Sequence, residues 1–249
     1  DGQYEEVEQL PNYHYANEIQ SSAYSSGTSR ERNKRLAQEH VDLGHSLPLS
    51  LSSTVWIRAS AERMDILQAM ISGPEETPYS NGLFIFDAKF PADYPTKAPR
   101  VNLQTTGAGS VRFNPNLYNC GKVCLSLLGT WSGQSAENWS TQSTFLQVLV
   151  SIQSLILVPE PYYNEPGYEE EMHTSIGRIK SRAYNKTIRE ATIMWGMLDH
   201  LRKPSLAFES VIRNHFSFKK EEIMRQIERW CRDDEQFENG EEEHGREEE

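Results

Sequence analysis

The stretch "NPNLYNCGKVCLS" at residues 114–126 holds two of the three cysteines of this 249-residue chain. Cys120 and Cys124 stand four positions apart, around Gly121. Turn-forming residues dominate the first half, so we expect an irregular backbone there, whereas the apolar "LSLL" after Cys124 predicts anchoring against a core. The spacing alone allows three interpretations: a pair of metal ligands, a redox couple, or one nucleophile with an incidental neighbour.

The metal, redox and peptidase interpretations each lack the residues that usually accompany them. A structural zinc site needs four ligands, yet no second cysteine or histidine pair lies near the C-x3-C spacing. A redox couple is usually C-x-x-C in a βαβ setting, which this chain does not show. A cysteine peptidase would need a histidine base, but no peptidase signature accompanies His173, His200 or His215. Cys231 shares a predicted helical face with two isoleucines, so we interpret it as a packing residue.

Two interpretations of Cys124 stay open on the residues alone. A single cysteine before a leucine is more often a small buried apolar residue than a reactive one. Alternatively, the irregular turn holds a reactive thiol beside side-chain amides. The N–H of an asparagine can then stabilise the oxyanion that forms when a bound carbonyl is attacked.

Around this stretch the apolar periodicity predicts an α+β fold. A helix is expected from its cap at Ser29 to Gly44. A four-stranded antiparallel meander follows, with predicted strands at 54–60, 66–72, 83–90 and 100–105. In the third strand aromatic and polar residues alternate, which predicts one buried face. A loop with three prolines precedes the fourth strand, and the run 145–158 predicts a central core helix.

The sequence divides into four predicted parts. They are a polar N-terminal linker (1–28), a core domain (29–168), a C-terminal helical extension (169–232) that begins with a polar gap at 169–185, and an acidic disordered tail (233–249). The linker is expected to dock in part through "NYHY" at 12–15. The tail holds ten acidic residues against one arginine, and so carries most of the formal net charge of -11.

Composition excludes several classes of function. There is no basic stripe of the kind that a nucleic-acid-binding protein needs. The longest apolar run is interrupted by polar residues and is too short for a membrane span. Three cysteines are too few for a disulfide-built fold, and there is no signal-peptide pattern, so we expect a reducing, cytoplasmic location. Because no glycine-rich phosphate loop is present either, no metal or other cofactor is expected.

The order of these features resembles the ubiquitin-conjugating enzymes. The shared features are a leading helix, four strands, a "YP..AP" loop, an "NPN" turn, a cysteine eight residues after the last Asn of that turn, a Trp and a helix. The stretches "NYHY", "RLAQE", "VRFNPNLYN", "GKVCLS" and "NEPGYE" are similar to the large BRUCE (Apollon) type within that family. The resemblance extends from Tyr13 to Trp230.

The resemblance implies a role for each of five residues. Cys124 corresponds to the acceptor that carries ubiquitin as a thioester, and Asn116 to the amide that assists transfer. Asn114 stands where the family usually has a His, and is expected to support the loop. Glu165, or alternatively Asn164, corresponds to the residue that positions or deprotonates the incoming substrate lysine.

The resemblance also implies partners. These are ubiquitin and the ubiquitin-activating enzyme, with ubiquitin ligases and protein substrates as further partners. The leading helix and the "YPTKAP" loop (94–99) are the expected docking surface. The BRUCE type further implies built-in ligase character and a part in regulating apoptosis.

Two features depart from the family pattern. Cys120 is interpreted as a turn substitution, and "GTWSGQSAEN" (129–138) as an insertion that narrows access or contacts partners. The alternative is a non-catalytic ubiquitin-binding or scaffold module on the same fold.

Overall fold

A computed structural model describes residues 2–21, 29–50, 52–131 and 138–247. Its strands are β1 (Tyr4–Val7), β2 (Val55–Ser60), β3 (Ile66–Ser72), β4 (Leu83–Lys89) and β5 (Arg100–Leu103). Its α-helices are α1 (Ala16–Ser21), α2 (Arg30–Ser46), α3 (Phe145–Ser151), α4 (Ser175–Ala191), α5 (Asp199–Arg202), α6 (Glu209–Phe218) and α7 (Lys220–Glu247). A π-helical turn at Ile152–Ile156 extends α3, and another at Thr192–Leu198 joins α4 to α5. The α+β prediction is confirmed.

The sheet has the order β1-β2-β3-β4-β5. Strands β2 to β5 pair antiparallel, so the predicted four-stranded meander is confirmed. β1 adds a fifth strand, parallel to β2, with Tyr4 opposite Ile57. The predicted polar linker over 1–28 thus contains a strand that the sequence pattern did not indicate. Its polar residues pair with the sheet through their backbone, and hydrophobic periodicity does not report such pairing.

The "NYHY" segment docks on β4, as expected. Tyr13 and Tyr15 are buried, and the hydroxyl of Tyr13 donates to the carbonyl oxygen of Ala88 at 2.6 Å. The backbone N–H of His14 donates to a carboxylate oxygen of Asp87 at 2.6 Å. Burial raises the pKa of Asp87 to about 7. The N-terminal segment thus provides a partner for a carboxylate that the sheet buries completely.

Both faces of the sheet are covered. On one face α2 and α3 contribute Leu36 and Phe145 to the main core, where they pack with Phe86. On the other face the C-terminal helices cover Met70, Leu83 and Ile85. They do so with Met197, Phe208, Val211, Ile212 and Phe216. The expectation that β4 has one buried face is therefore wrong, because the C-terminal helices pack against the face that a smaller domain would leave in water.

The capping residues explain where α2 and α3 begin. Ser29 accepts from the backbone N–H of Arg32 at 3.1 Å, which confirms the predicted start of α2. That helix ends at Ser46 instead of Gly44. Thr144 and Gln147 form a capping box at the start of α3, and the π-helical turn ends at Ile156, two residues before the predicted end.

The segment predicted as a polar gap at 169–185 is largely helical. Thr174 caps α4 by accepting from the backbone N–H of Gly177 at 2.9 Å. The buried side chains of this helix are few, since Ser181 and Ile188 face the core while most of the surface is polar. The predicted gap therefore rested on the polar composition of the segment and not on the absence of a helix.

The predicted acidic tail at 233–249 continues α7 as far as Glu247. Trp230 is buried, with the guanidinium of Arg189 lying 5.6 Å from its ring centroid. Arg189 also forms an ion pair with Asp234 at 2.9 Å. Cys231 is exposed, so its interpretation as a packing residue is wrong. Within the described ranges, no helix is both long enough and apolar enough to cross a membrane.

Two phenylalanines of the C-terminal helices test whether the packing of these helices against the sheet stabilises the fold. Phe208 is fully buried beneath Arg58, whereas Phe218 is 85% exposed. We expect Phe208→Ala to lower the free energy of unfolding by about 3–5 kcal/mol and the melting temperature by about 10 °C. Phe218→Ala is the matched control, with an expected change within about 0.5 kcal/mol. Equal melting temperatures for the two variants, measured by calorimetry, would contradict this packing.

Candidate functional site

Cys124 follows a small β-hairpin. Leu117 and Val123 pair antiparallel, and the backbone N–H of Tyr118 donates to the carbonyl of Lys122 at 3.0 Å. Cys120 lies at the tip of the hairpin and is exposed, whereas Cys124 lies at its base and is buried. The hairpin thus assigns the two thiols to different surroundings.

Gly121 lets this hairpin dock on the sheet. Its φ of +84° favours glycine, and a Cβ at this position would lie 2.3 Å from the side-chain oxygen of Asn102. The backbone N–H of Leu103 on β5 donates to the carbonyl of Gly121 at 2.8 Å. The sheet edge therefore fixes the hairpin and the cysteine at its base.

Asn116 and Cys124 are joined by two hydrogen bonds. The N–H of Cys124 donates to the backbone carbonyl of Asn116 at 2.8 Å, and the side-chain amide of Asn116 donates to the carbonyl of Cys124 at 2.8 Å. The eight-residue spacing in the sequence is thus the spacing of a cross-strand pair. An amide nitrogen carries two hydrogens, so one donor of Asn116 is left after this bond.

Thr130 holds the backbone on both sides of Cys124. Its hydroxyl donates to the carbonyl of Val123 at 2.7 Å and accepts from the N–H of Leu125 at 3.0 Å. A short 3-10 turn at Ser126–Leu128 reverses the chain, so that Thr130 lies beside Val123 and Leu125. Residues 132–137, which make up most of the predicted insertion, lie outside the described residues.

Asn114 is fully buried and connects four segments of the chain. Its side-chain N–H groups donate to the carbonyl of Ile156 at 2.8 Å and to the hydroxyl of Tyr79 at 3.2 Å. Its side-chain oxygen accepts from the N–H of Asn116 at 2.8 Å and from the amide of Asn164 at 3.4 Å. Every donor and acceptor site of this amide is occupied. The geometry is what a loop-supporting residue requires.

Asn164 is the last residue of a 3-10 turn at Pro161–Asn164, and Glu165 comes directly after it. The amide of Asn164 donates to the carbonyl of Leu155 at 3.0 Å as well as to Asn114, so this side chain is engaged in holding the turn. Glu165 extends to the guanidinium of Arg112 at 3.3 Å. Of the two, Glu165 is therefore better placed to contact an incoming molecule.

Cys124 is buried, and two cations lie near it. The residue is 3% exposed, and burial raises the pKa of its thiol. The nearby Lys122 and Arg112 act against this rise without cancelling it. Both cations lie against the ring of Tyr118, with Arg112 Cζ 4.5 Å and Lys122 Nζ 5.5 Å from its centroid. At neutral pH the resting group is thus mainly the thiol, and the thiolate needs positive charge nearby in order to form.

Sequence reasoning assigned no role to several residues that hold this site. Tyr79, Arg112, Tyr118 and Thr130 make their contacts through folded geometry, and their types carry no catalytic signal. The cation–aromatic–cation arrangement around Tyr118 is the one feature that spacing within the hairpin could have suggested. Within the described parts of the chain, no three histidine, cysteine or carboxylate side chains converge as a metal site would require.

The peptidase interpretation gains no support from two of the histidines. The ring nitrogen Nε2 of His200 lies 2.9 Å from the carbonyl of Leu83, and that of His215 lies 3.0 Å from the carbonyl of Asn81. Burial lowers the pKa of both rings, to about 4 for His215. These histidines are neutral residues that connect the C-terminal helices to the sheet.

The profile of the family described as "Ubiquitin-conjugating enzyme" matches residues 35–192. The chain belongs to this family. The match includes the hairpin, Asn114, Asn116, Cys124 and the turn with Glu165. The family resemblance that the motifs suggested is thus confirmed, together with the fold that it implied.

Similar curated proteins agree. The chain is 55% identical over 227 residues to the human "Dual E2 ubiquitin-conjugating enzyme/E3 ubiquitin-protein ligase BIRC6", the BRUCE (Apollon) protein, covering 91% of this chain and 5% of that protein. It is 47% identical over 201 residues to "Probable ubiquitin-conjugating enzyme protein 17" of Caenorhabditis elegans, covering 81% of this chain and 28% of that protein. It is 41% identical over 223 residues to "Putative ubiquitin-conjugating enzyme E2 38" of Arabidopsis thaliana, covering 89% and 65%. The chain therefore spans only a small part of its human relative.

The raised pKa of the Cys124 thiol predicts a pH profile. Alkylation by iodoacetamide requires the thiolate, so its rate at Cys124 should rise about tenfold per pH unit between pH 7 and 8. The measurement follows the Cys124 peptide by mass spectrometry in a Cys120→Ser/Cys231→Ser background. Lys122→Gln should slow the reaction at each pH, because one nearby cation is lost. A plateau below pH 8 would contradict the raised pKa.

Proposed function

We propose that this chain accepts ubiquitin as a thioester on Cys124 and transfers it to substrate lysines. The observation that carries the proposal is the Asn116–Cys124 pair, because it places a cysteine and a side-chain amide on facing backbone positions. An acyl-transfer site needs a nucleophile with a hydrogen-bond donor beside it. Membership in the ubiquitin-conjugating enzyme family indicates that the acyl group is the C-terminal carboxyl group of ubiquitin.

In the first step the Cys124 thiolate attacks the carbonyl carbon of the thioester that joins ubiquitin to its activating enzyme. A new carbon–sulfur bond forms, and the thiolate of the activating enzyme leaves. The positive charge of Arg112 and Lys122 favours the attacking thiolate. Cys124 is 3% exposed, so the thioester of the activating enzyme has to reach a sulfur that is largely covered in this structure.

In the second step the neutral amine of a lysine attacks the thioester. Its carbon–nitrogen bond forms, the carbon–sulfur bond breaks, and the Cys124 sulfur leaves as thiolate. Free lysine is protonated at neutral pH, so a proton has to leave the amine before or during attack. Glu165 is the carboxylate that we assign to this task, with Asn164 bracing its turn. The second N–H of Asn116 stabilises the oxyanion.

The partners follow from this proposal. Ubiquitin and its activating enzyme supply the acyl group, and α2 with the "YPTKAP" loop forms the docking surface for that enzyme or for ligases. Built-in ligase character, a part in regulating apoptosis and a cytoplasmic location belong to the same proposal. The printed name of the human relative, which includes both enzyme classes, supports the first of these three.

A charging assay tests the proposal. The protein is incubated with ubiquitin, activating enzyme and ATP, and the adduct is resolved with and without reductant. We expect a reductant-sensitive adduct that is lost in Cys124→Ala and retained in Cys120→Ala, because only the former removes the thiol at the base of the hairpin. Absence of any adduct on active wild-type protein would favour the alternative, a non-catalytic ubiquitin-binding or scaffold module.

Asn116→Ala separates the two steps. We expect charging within about twofold of wild type and discharge to lysine slowed roughly a hundredfold, the usual cost of losing an oxyanion donor. Asn119→Ala is the matched control, because Asn119 is an exposed amide in the same hairpin whose bond goes to Gly109. Single-turnover discharge of the preformed thioester is the measurement. Equal discharge by the two variants would remove Asn116 from the mechanism.

A further inference from the structure

Arg112 connects the loop that carries Asn116 to the turn that carries Glu165. Its guanidinium donates to the backbone carbonyl of Pro115 at 2.7 Å and stacks on Tyr118 at 4.5 Å. These two contacts belong to the loop that carries Asn116. The third contact goes to the turn after the central helix, where the guanidinium donates to Glu165 Oε2 at 3.3 Å.

The first two contacts hold Arg112 without help from Glu165. Tyr118 is itself held, since its backbone N–H donates to Lys122 and its ring lies between two cations. The arginine is therefore a fixed charge on the Asn116 loop. The Arg112–Glu165 pair is exposed on both sides, so it is weak enough to rearrange but directional enough to set where the carboxylate lies.

Only one oxygen of the Glu165 carboxylate contacts Arg112. Oε2 contacts Arg112, while Oε1 makes no hydrogen bond to any of the residues that the structure describes. A carboxylate with one oxygen held by a fixed guanidinium presents the other oxygen in a defined direction. An ammonium or amine N–H of an approaching lysine is the donor that this free oxygen would accept.

We propose that Arg112 is a positioning residue for lysine transfer: it holds Glu165 so that the free oxygen of the carboxylate faces the incoming lysine. This inference rests on the proposed function of Cys124 and extends it to a residue that the family resemblance gave no role. Arg112 acts through Glu165 and does not itself touch the reacting atoms. Because Arg112 also lies near the Cys124 sulfur that leaves as thiolate in every discharge, its loss should slow the attack by an amine more than the attack by a nucleophile that needs no carboxylate.

The test compares two discharge reactions of the preformed Cys124 thioester. We expect Arg112→Gln to slow discharge to free lysine about fivefold more than discharge to 2-mercaptoethanol, which is the scale of one exposed ion pair. The thiol reaction reports the loss of charge near the leaving Cys124 thiolate. Glu165→Gln should lower the ratio of lysine to thiol discharge at least as much. Adding Arg112→Gln to Glu165→Gln should then change this ratio by less than about a further twofold, because the partner is already gone.

Two comparison variants sharpen the result. Arg213→Gln removes an exposed arginine that pairs with Glu209 on α6, and should leave both reactions unchanged. Lys122→Gln removes the other cation on Tyr118 and leaves Glu165 with its partner. The factors by which Lys122→Gln and Glu165→Gln slow lysine discharge should therefore multiply in the double variant.

Three outcomes would overturn the inference. These are multiplicative effects of the Arg112 and Glu165 substitutions on the ratio of lysine to thiol discharge, equal slowing of lysine and thiol discharge by Arg112→Gln, and no slowing of lysine discharge by Arg112→Gln. Each of them presupposes a thioester on Cys124. They are therefore distinct from failure of the proposed function, in which wild-type protein forms no thioester at all.

Discussion

The side-chain amide of Asn114 is the interaction on which the geometry of the site depends. It is completely buried and uses both of its N–H groups and both acceptor positions of its oxygen. Its four partners come from the connection before β4, the end of the central helix, its own loop and the turn that carries Glu165. A buried amide with one bond missing costs about 1–3 kcal/mol, so these four segments are held in one arrangement. Cys124 and Glu165 are positioned relative to one another through this residue.

The core elements could be predicted from the sequence because their signals are local. The Ser29 cap, the alternation in the strands and the "NPN" turn each report on their own few residues. The eight-residue spacing of Asn116 and Cys124 identified the pair, but only the hairpin explains it as a cross-strand pair with two hydrogen bonds. Arg112 could not be predicted, since its partner Glu165 lies on a turn far along the chain.

The differences from the sequence prediction lie mainly at the two ends of the chain. β1 is held by backbone pairing, which leaves little hydrophobic periodicity. α4 begins at the capping residue Thr174 inside a segment of polar composition, so composition alone did not reveal it. The C-terminal helices in turn bury the second face of β4, so a strand that reads as half-exposed is fully covered. The sheet is thus enclosed from both sides, and the candidate site lies at the hairpin that docks on its β5 edge.

The central claim is that Cys124 carries the acyl group. The most direct measurement replaces its sulfur by oxygen, because an oxyester survives the reductant and the digestion that a thioester does not. After incubation of Cys124→Ser with ubiquitin, activating enzyme and ATP, peptide mapping by mass spectrometry should find the C-terminal glycines of ubiquitin on position 124. An unmodified position 124, with the ubiquitin remnant on Cys120 or on a lysine, would contradict the account.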